Sequence, residues 1–293
     1  MSVLINSSPE IPLYPLPPPN TDWIPSLSMG ALDETEDWCY FIDSRNNGAS
    51  SARIVRVNLI TFAAEVWLDT GTMPLSCVSP CFSYDFSQLL FCIASDPHLY
   101  ALNLSNFTIA DLGDMAGNVD TPVSINRVPG TTNQYLVYHA GQKSFSRVTY
   151  DSSSFIVEDQ SVYRSGGWSC MGDWSSNGDF YRSIANGGPN TQGPIARFPV
   201  GQGDSMYPVA GHHDNLPESN GIDKYRAIFS PSSLAVNGDG STIYFSSGNI
   251  LKAVDGDQVV NVNGGMGSSR VICYSKIHNR LVILNGFSAF VLY

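Results

Sequence analysis

The sequence predicts an all-β chain, a single β-propeller of six four-stranded blades in which an N-terminal strand closes the ring. Three observations lead there. From residue 30 onward long helical periodicities are missing, and short runs rich in Val, Ile, Tyr and Phe alternate with Gly, Asn, Asp and Ser clusters. These runs fall into degenerate units that resemble one another. The last unit stops one strand short at Tyr293, while an apolar segment, Ser2-Val3-Leu4-Ile5, stands near the other terminus.

Residues 1–29 hold that candidate closing strand and then a proline-rich strap, with Pro9, Pro12, Pro15, Pro17, Pro18, Pro19 and Pro25 excluding helix and central strand. Leu13, Tyr14, Leu16 and Trp23 offer the strap apolar anchors, and docking to a proline-binding domain is the alternative. The propeller occupies 30–293. Its first unit reads DWCYFID, then ARIVRVNLITFAAEVWLD; its second QLLFCIAS, then HLYALNLSNFTIADLG; its third QYLVYHAG, then FSRVTYDSSSFIVED. DFYRSIANG and IARFPVGQGDSMYPVAG make a looser fourth, STIYFSSG and NILKAVDGDQVVNVNG a fifth, and RLVILNGFSAFVLY the last. A further short strand precedes most units, as in LSCVSPCFSY, TPVSINRV, WSCMGDW, PSSLAVN and SRVICYS, which makes about four strands per blade. Seven blades is the rival count.

Apolar residues make up 43% of the 293 and suffice for a core, whereas only 14% are charged and the only lysines are Lys143, Lys224, Lys252 and Lys276. A surface of Ser, Asn, Thr and Gly suits an extracellular or virion-surface protein. The net charge of −11 argues against nucleic acid and anionic membrane surfaces. No apolar run is long enough to span a bilayer, and the first residues lack the basic and apolar regions of a signal peptide.

Sequons stand at Asn6, Asn103 and Asn106, the last two in the tandem NLSNFT, and mark candidate glycosylation sites. The six cysteines show no zinc spacing. If CFSYDFSQLLFC turns at Asp85–Gln88, Cys81 lies opposite Cys92 and a disulfide is expected; buried thiols are the alternative.

The segment 208–265 carries V-A-G before a loop, A-x-F-x-x-P, then L-A-V-N-G-D-G, I-Y-F and G-N-I-L, and it resembles an NHL-type propeller repeat. DETEDWCYFIDSRNNGASSARIVRVNLITF is similar to the YVTN-like repeats of extracellular propellers. The resemblance implies binding and scaffolding more often than catalysis, with some lactonases and lyases as exceptions.

Propeller sites tend to gather where loops converge at the channel mouth. There His212, His213 and Asp214, with Glu218 and Asp223 nearby, form a candidate set for a divalent metal; a solvated loop is the alternative, since adjacent histidines on extended chain point opposite ways. The acidic turns Asn237-Gly238-Asp239-Gly240 and Asp255-Gly256-Asp257 suggest calcium or tight hairpins. Trp168 and Trp174 are candidate ligand-stacking residues facing the channel, while Trp38 and Trp67 sit within repeat strands and suit packing. The chain carries no G-x-S-x-G elbow, P-loop, H-E-x-x-H or G-x-G-x-x-G. The reading is therefore a non-enzymatic structural or interaction propeller, a building block outside the cell or on a virion. Its expected partners are proteins, copies of itself, or glycans. A metal-dependent lactonase or lyase, or a carbohydrate-binding lectin, are the alternatives.

Overall fold

The computed structural model describes residues 4, 6–12, 30–43, 52–74, 77–93, 96–115, 122–139, 144–162, 172–183, 195–202, 205–211, 224, 231–247, 250–262, 269–285 and 288–293. Among them every regular element is a strand. An N-terminal strand β1 (Ile11–Pro12) precedes the first blade, made of β2 (Ala31–Leu32), β3 (Trp38–Asp43), β4 (Ala52–Asn58) and β5 (Ala64–Met73). The second blade comprises β6 (Cys77–Phe82), β7 (Gln88–Ile93), β8 (His98–Asn103) and β9 (Ile109–Asp114); the third β10 (Pro122–Arg127), β11 (Gln134–His139), β12 (Ser144–Tyr150) and β13 (Phe155–Val162). The fourth is β14 (Asp173–Trp174), β15 (Phe180–Ser183), β16 (Ile195–Phe198) and β17 (Tyr207–Ala210), and the fifth β18 (Pro231–Val236), β19 (Thr242–Ser247), β20 (Ile250–Asp255) and β21 (Gln258–Asn261). In the sixth, β22 (Ser269–Ser275), β23 (Arg280–Asn285) and β24 (Ser288–Leu292) are completed by β1, in the order β1-β24-β23-β22. Six four-stranded antiparallel sheets in this order make a six-bladed β-propeller fold.

By contact clustering the chain divides into two compact units: residues 8–161 with 286–290, and residues 1–7 with 162–285 and 291–293. In the former, alternate residues of one strand feed different cores. Leu89 and Phe91 of β7 join Tyr40, Ile42, Ile54 and Leu68 of the first blade, whereas Leu90 and Cys92 join Tyr135, Val137 and Val148 of the third. Both faces of the sheet are therefore covered, which is why QLLFCI is an apolar run rather than an alternation. Each large apolar side chain so buried contributes roughly 1.5–3 kcal/mol. Trp67 meets Phe107 of the second blade edge-on at 6.0 Å, the packing role expected for it, and the Arg56 guanidinium lies 4.1 Å over the Trp38 ring. In the other unit Ile243 and Phe245 of β19 pack with Tyr181 and Ile195 of the fourth blade. Tyr244 between them stacks at 5.7 Å on Tyr274 of the sixth.

Two expectations need correction. The strand completing the sixth sheet is Ile11–Pro12, paired as Ile11↔Ala289 and Pro12↔Ser288, with a bridge at Ser7↔Leu292. Of the expected segment Ser2–Ile5 the structure describes Leu4 alone, buried with its N–H donating to the Tyr244 hydroxyl at 3.1 Å. An outermost strand tolerates Pro12 because one edge needs no donor. Second, Cys81 does not face Cys92. The hairpin turns between Ser83 and Gln88, with Phe86 at φ +55°, so Cys81 pairs with Leu90. An irregularity between Val78 and Cys81, with Ser79 at φ +50°, then sets Val78 opposite Cys92. Both cysteines are buried free thiols.

Candidate functional site

The two ends of each blade differ in how they handle polar groups. At one end lie the turns joining first to second and third to fourth strands, and these satisfy themselves. Asp33, Ser83, Val128, Ser175 and Asn237 each open a turn in which the backbone N–H bonds back across the hairpin and the carbonyl accepts a turn N–H. Glu36, Phe86, Gly178 and Gly240 occupy the same left-handed position, at φ +56°, +55°, +89° and +77°. Asn58 and Asn103 open the matching outer turns, NLITF and NLSNF, with Phe62 and Phe107 at φ +59° and +57°. Neighbouring turns also interlock. The Tyr84 hydroxyl reaches the carbonyls of Val128 at 2.7 Å and Gln134 at 2.8 Å, and the Ser176 N–H donates to Gly238 O at 2.6 Å.

From the opposite end the second strand of each blade leads to the third and the fourth leads to the next blade. Strand termini that lead there bury polar side chains. In one unit these are Ser124, His139, Ser144 and Ser146, each at most 1% exposed. His139 Nε2 lies 2.9 Å from Ser146 Oγ, while the Ser124 and Ser144 hydroxyls have no hydrogen-bond partner among the described residues. In the other unit Arg182, Ser233, Ser246, Ser247 and Lys252 are buried, with Ser233 Oγ 2.5 Å from Ser246 Oγ. A buried, incompletely satisfied polar end is where a β scaffold carries function. Sequence reasoning missed His139, Arg182 and Lys252. The available signal was a titratable residue interrupting an apolar strand, as in QYLVYH, FYRS and ILKAVD.

A second feature lies wholly between the fourth and fifth blades, a cleft of about 530 Å³. Tyr181, Arg197, Tyr207, Lys224, Ser241 and Asp257 line it. Arg197 Nη1 stands 3.7 Å from Asp179 Oδ2, and Asp179 Oδ1 accepts the Val200 N–H at 3.1 Å. The Lys224 backbone is tied to Gly211 and Asp257, both at 2.8 Å, and its Nζ donates to Gly256 O at 3.1 Å. Burial pushes the Tyr181 hydroxyl up, against the opposing pull of the Arg197 charge and its hydrogen bond. Gly240 lets that hydroxyl come close: a Cβ there would stand 2.5 Å from it.

Of the residues nominated from sequence, His212, His213, Asp214 and Trp168 lie outside the described residues. Trp174 is 6% exposed with its ring 4.7 Å from Phe180, so it presents no open stacking face; its Nε1 has no hydrogen-bond partner among the described residues. Asn237-Gly238-Asp239-Gly240 is a hairpin turn in which Asn237 Oδ1 accepts the Thr242 N–H at 3.0 Å and Asp239 Oδ1 the Ser241 N–H at 2.9 Å. Gly256, at φ +59°, turns Asp255-Gly256-Asp257 likewise. Among the described residues no group of three or more His, Cys, Asp or Glu side chains is placed to hold a metal ion. Asn106 is exposed; Asn103 is half-buried, with Oδ1 accepting from Ser105 N at 2.9 Å; Asn6 is exposed and pairs by its backbone with Tyr293.

The fold thus places the chain in the class of six-bladed β-propellers, and comparison with known proteins agrees. No family model matches the sequence, and no curated protein matches it. Solved structures do, at the level of fold. A gluconolactonase from Xanthomonas campestris is 13% identical, with TM-score 0.62 over 98% of each chain. An auxiliary nutrient binding protein from Bacteroides thetaiotaomicron is 10% identical, with TM-score 0.65 over 92% of this chain and 69% of that one. A chain of the nidogen/laminin complex is 11% identical, with TM-score 0.57 over 85% of each.

Proposed function

We propose that this chain is a non-enzymatic interaction propeller, a building block that joins protein partners or copies of itself outside the cell or on a virion surface. The observation that carries the reading is the contrast between blade ends. One end is closed by self-satisfied turns, and at the other the strand termini bury polar side chains. The NHL- and YVTN-like stretches and the likeness to a chain of the nidogen/laminin complex support the reading. Asn103 and Asn106 would carry glycans in that setting. The test is gentle fractionation of native material followed by light scattering. Recovery within a large particle or stable oligomer supports the proposal, and recovery as a free monomer overturns it.

A second reading, a lactone-hydrolysing enzyme, is favoured by the full-length likeness to a gluconolactonase and by the His139–Ser146 couple at the polar end. In it His212, His213 and Asp214 would hold a divalent ion. Turnover of an aldonolactone by purified protein with added divalent cations, lost in His213→Ala, supports it; no turnover with any such cation removes it.

A further inference from the structure

We propose that the cleft between the fourth and fifth blades binds an acidic saccharide unit, a pyranose bearing a carboxylate. The chain carries 15 Lys and Arg against 26 Asp and Glu, yet one of each cation type converges on this cleft. Arg197 is the carboxylate partner. Its side chain is 42% exposed and pairs with Asp179 at 3.7 Å, a carboxylate anchored through its other oxygen to Val200 N, so the guanidinium reaches the cleft with donors beyond that ion pair and its bond to Tyr181. Lys224 is held in place through its backbone and by Gly256 O, and its Nζ pairs at 3.4 Å with Asp257 Oδ1, on a side chain that is 94% exposed.

The remaining lining selects a sugar over a simple carboxylic acid. Tyr207, 46% exposed, offers an aromatic face for the C–H face of a pyranose. Ser241 and Asp257 supply a hydroxyl and a carboxylate for ring hydroxyls. A volume of about 530 Å³ accommodates one or two such rings. The cleft sits at the turn end of its blades, so this inference is independent of the assembly reading, and a monomeric protein would leave it standing.

The experiment is calorimetric and NMR titration of the intact protein with galacturonate, galactose and acetate, repeated with Arg197→Gln and Tyr207→Ala. Thermal melts establish that each variant is folded. Galacturonate should bind best, Arg197→Gln should weaken it about tenfold while leaving galactose unchanged, and Tyr207→Ala should weaken both sugars. Three results overturn the proposal: no galacturonate binding at millimolar concentrations, equal affinity for galactose or acetate, or binding that survives both substitutions.

Discussion

Replacing Tyr84 by Phe deletes one oxygen from the contact that ties the second blade's turn into the third. That hydroxyl has one proton to donate, to Val128 O at 2.7 Å or Gln134 O at 2.8 Å, and it stands 2.8 Å from Thr131 Oγ1. The carbonyls do not lose everything: Val128 O keeps Thr131 Oγ1 at 2.8 Å, and Gln134 O keeps the Val128 N–H at 2.9 Å. The loss therefore lies between one net hydrogen bond and one unsatisfied acceptor, about 1–2 kcal/mol. The ring stays, and with it the edge-on contact to Tyr135 at 5.2 Å. A chain of this size should then melt roughly 2–3 °C lower. Urea unfolding should show a lower midpoint at unchanged slope, with faster amide exchange at Thr131 confined to the native state. Tyr150→Phe is the control for a lone side-chain bond between the same two blades, to Gln88 Oε1 at 2.7 Å, that touches no turn carbonyl, and it should cost less. Stability equal to the parent, or a loss no larger than the control's, would refute the idea that the turns lock adjacent blades.

Further outcomes follow from the titratable groups. Burial raises Tyr40, Tyr84, Tyr150 and Tyr181 above the ordinary value and Tyr100 to about 12. The unfolded chain then sheds tyrosine protons first, so stability should fall as pH climbs past about 10; a flat melting temperature into that range contradicts it. His98 is raised chiefly by its hydrogen bond to Asp111, at 2.9 Å. Its contribution is complete below the unfolded imidazole value and fades as pH rises through the raised one, so NMR titration should find His98 high and Asp111→Asn should lower it. Desolvation lifts Cys81 to about 11 and Cys77 to about 12, so thiol reagents should spare both in the native protein and label them in urea. Gly240→Ala combines a left-handed backbone with a collision at the Tyr181 hydroxyl and should cost more than about 1–2 kcal/mol, whereas Gly113→Ala, which meets nothing, should cost only the backbone penalty.

The blade units were legible because inner strands such as β7 and β19 are apolar on both faces, so QLLFCI or STIYFSSG announces itself without its neighbours. The NGDG turn was legible for a local reason, its need for positive φ. Ile11–Pro12 was hidden because a two-residue edge strand draws its partner from the far end of the chain, and no local pattern encodes that. The Cys81–Cys92 register failed on a turn that opens two residues earlier than its sequence suggests and on a bulge beyond it. The cleft was invisible because Tyr181, Arg197, Lys224 and Asp257 come together only when two sheets pack.

The pairing of β1 with β24 joins residues as far apart as Glu10 and Ser288, whose hydroxyl donates to the Glu10 carboxylate. During synthesis such a strand must wait for nearly the whole chain before it finds its partner, whereas β2 to β5 can pair as soon as they emerge. The sixth sheet should therefore mature last and set the overall folding rate. A circularly permuted gene that made β1 continuous with β24 and opened the 211–230 connection would move the bottleneck without altering a single sheet.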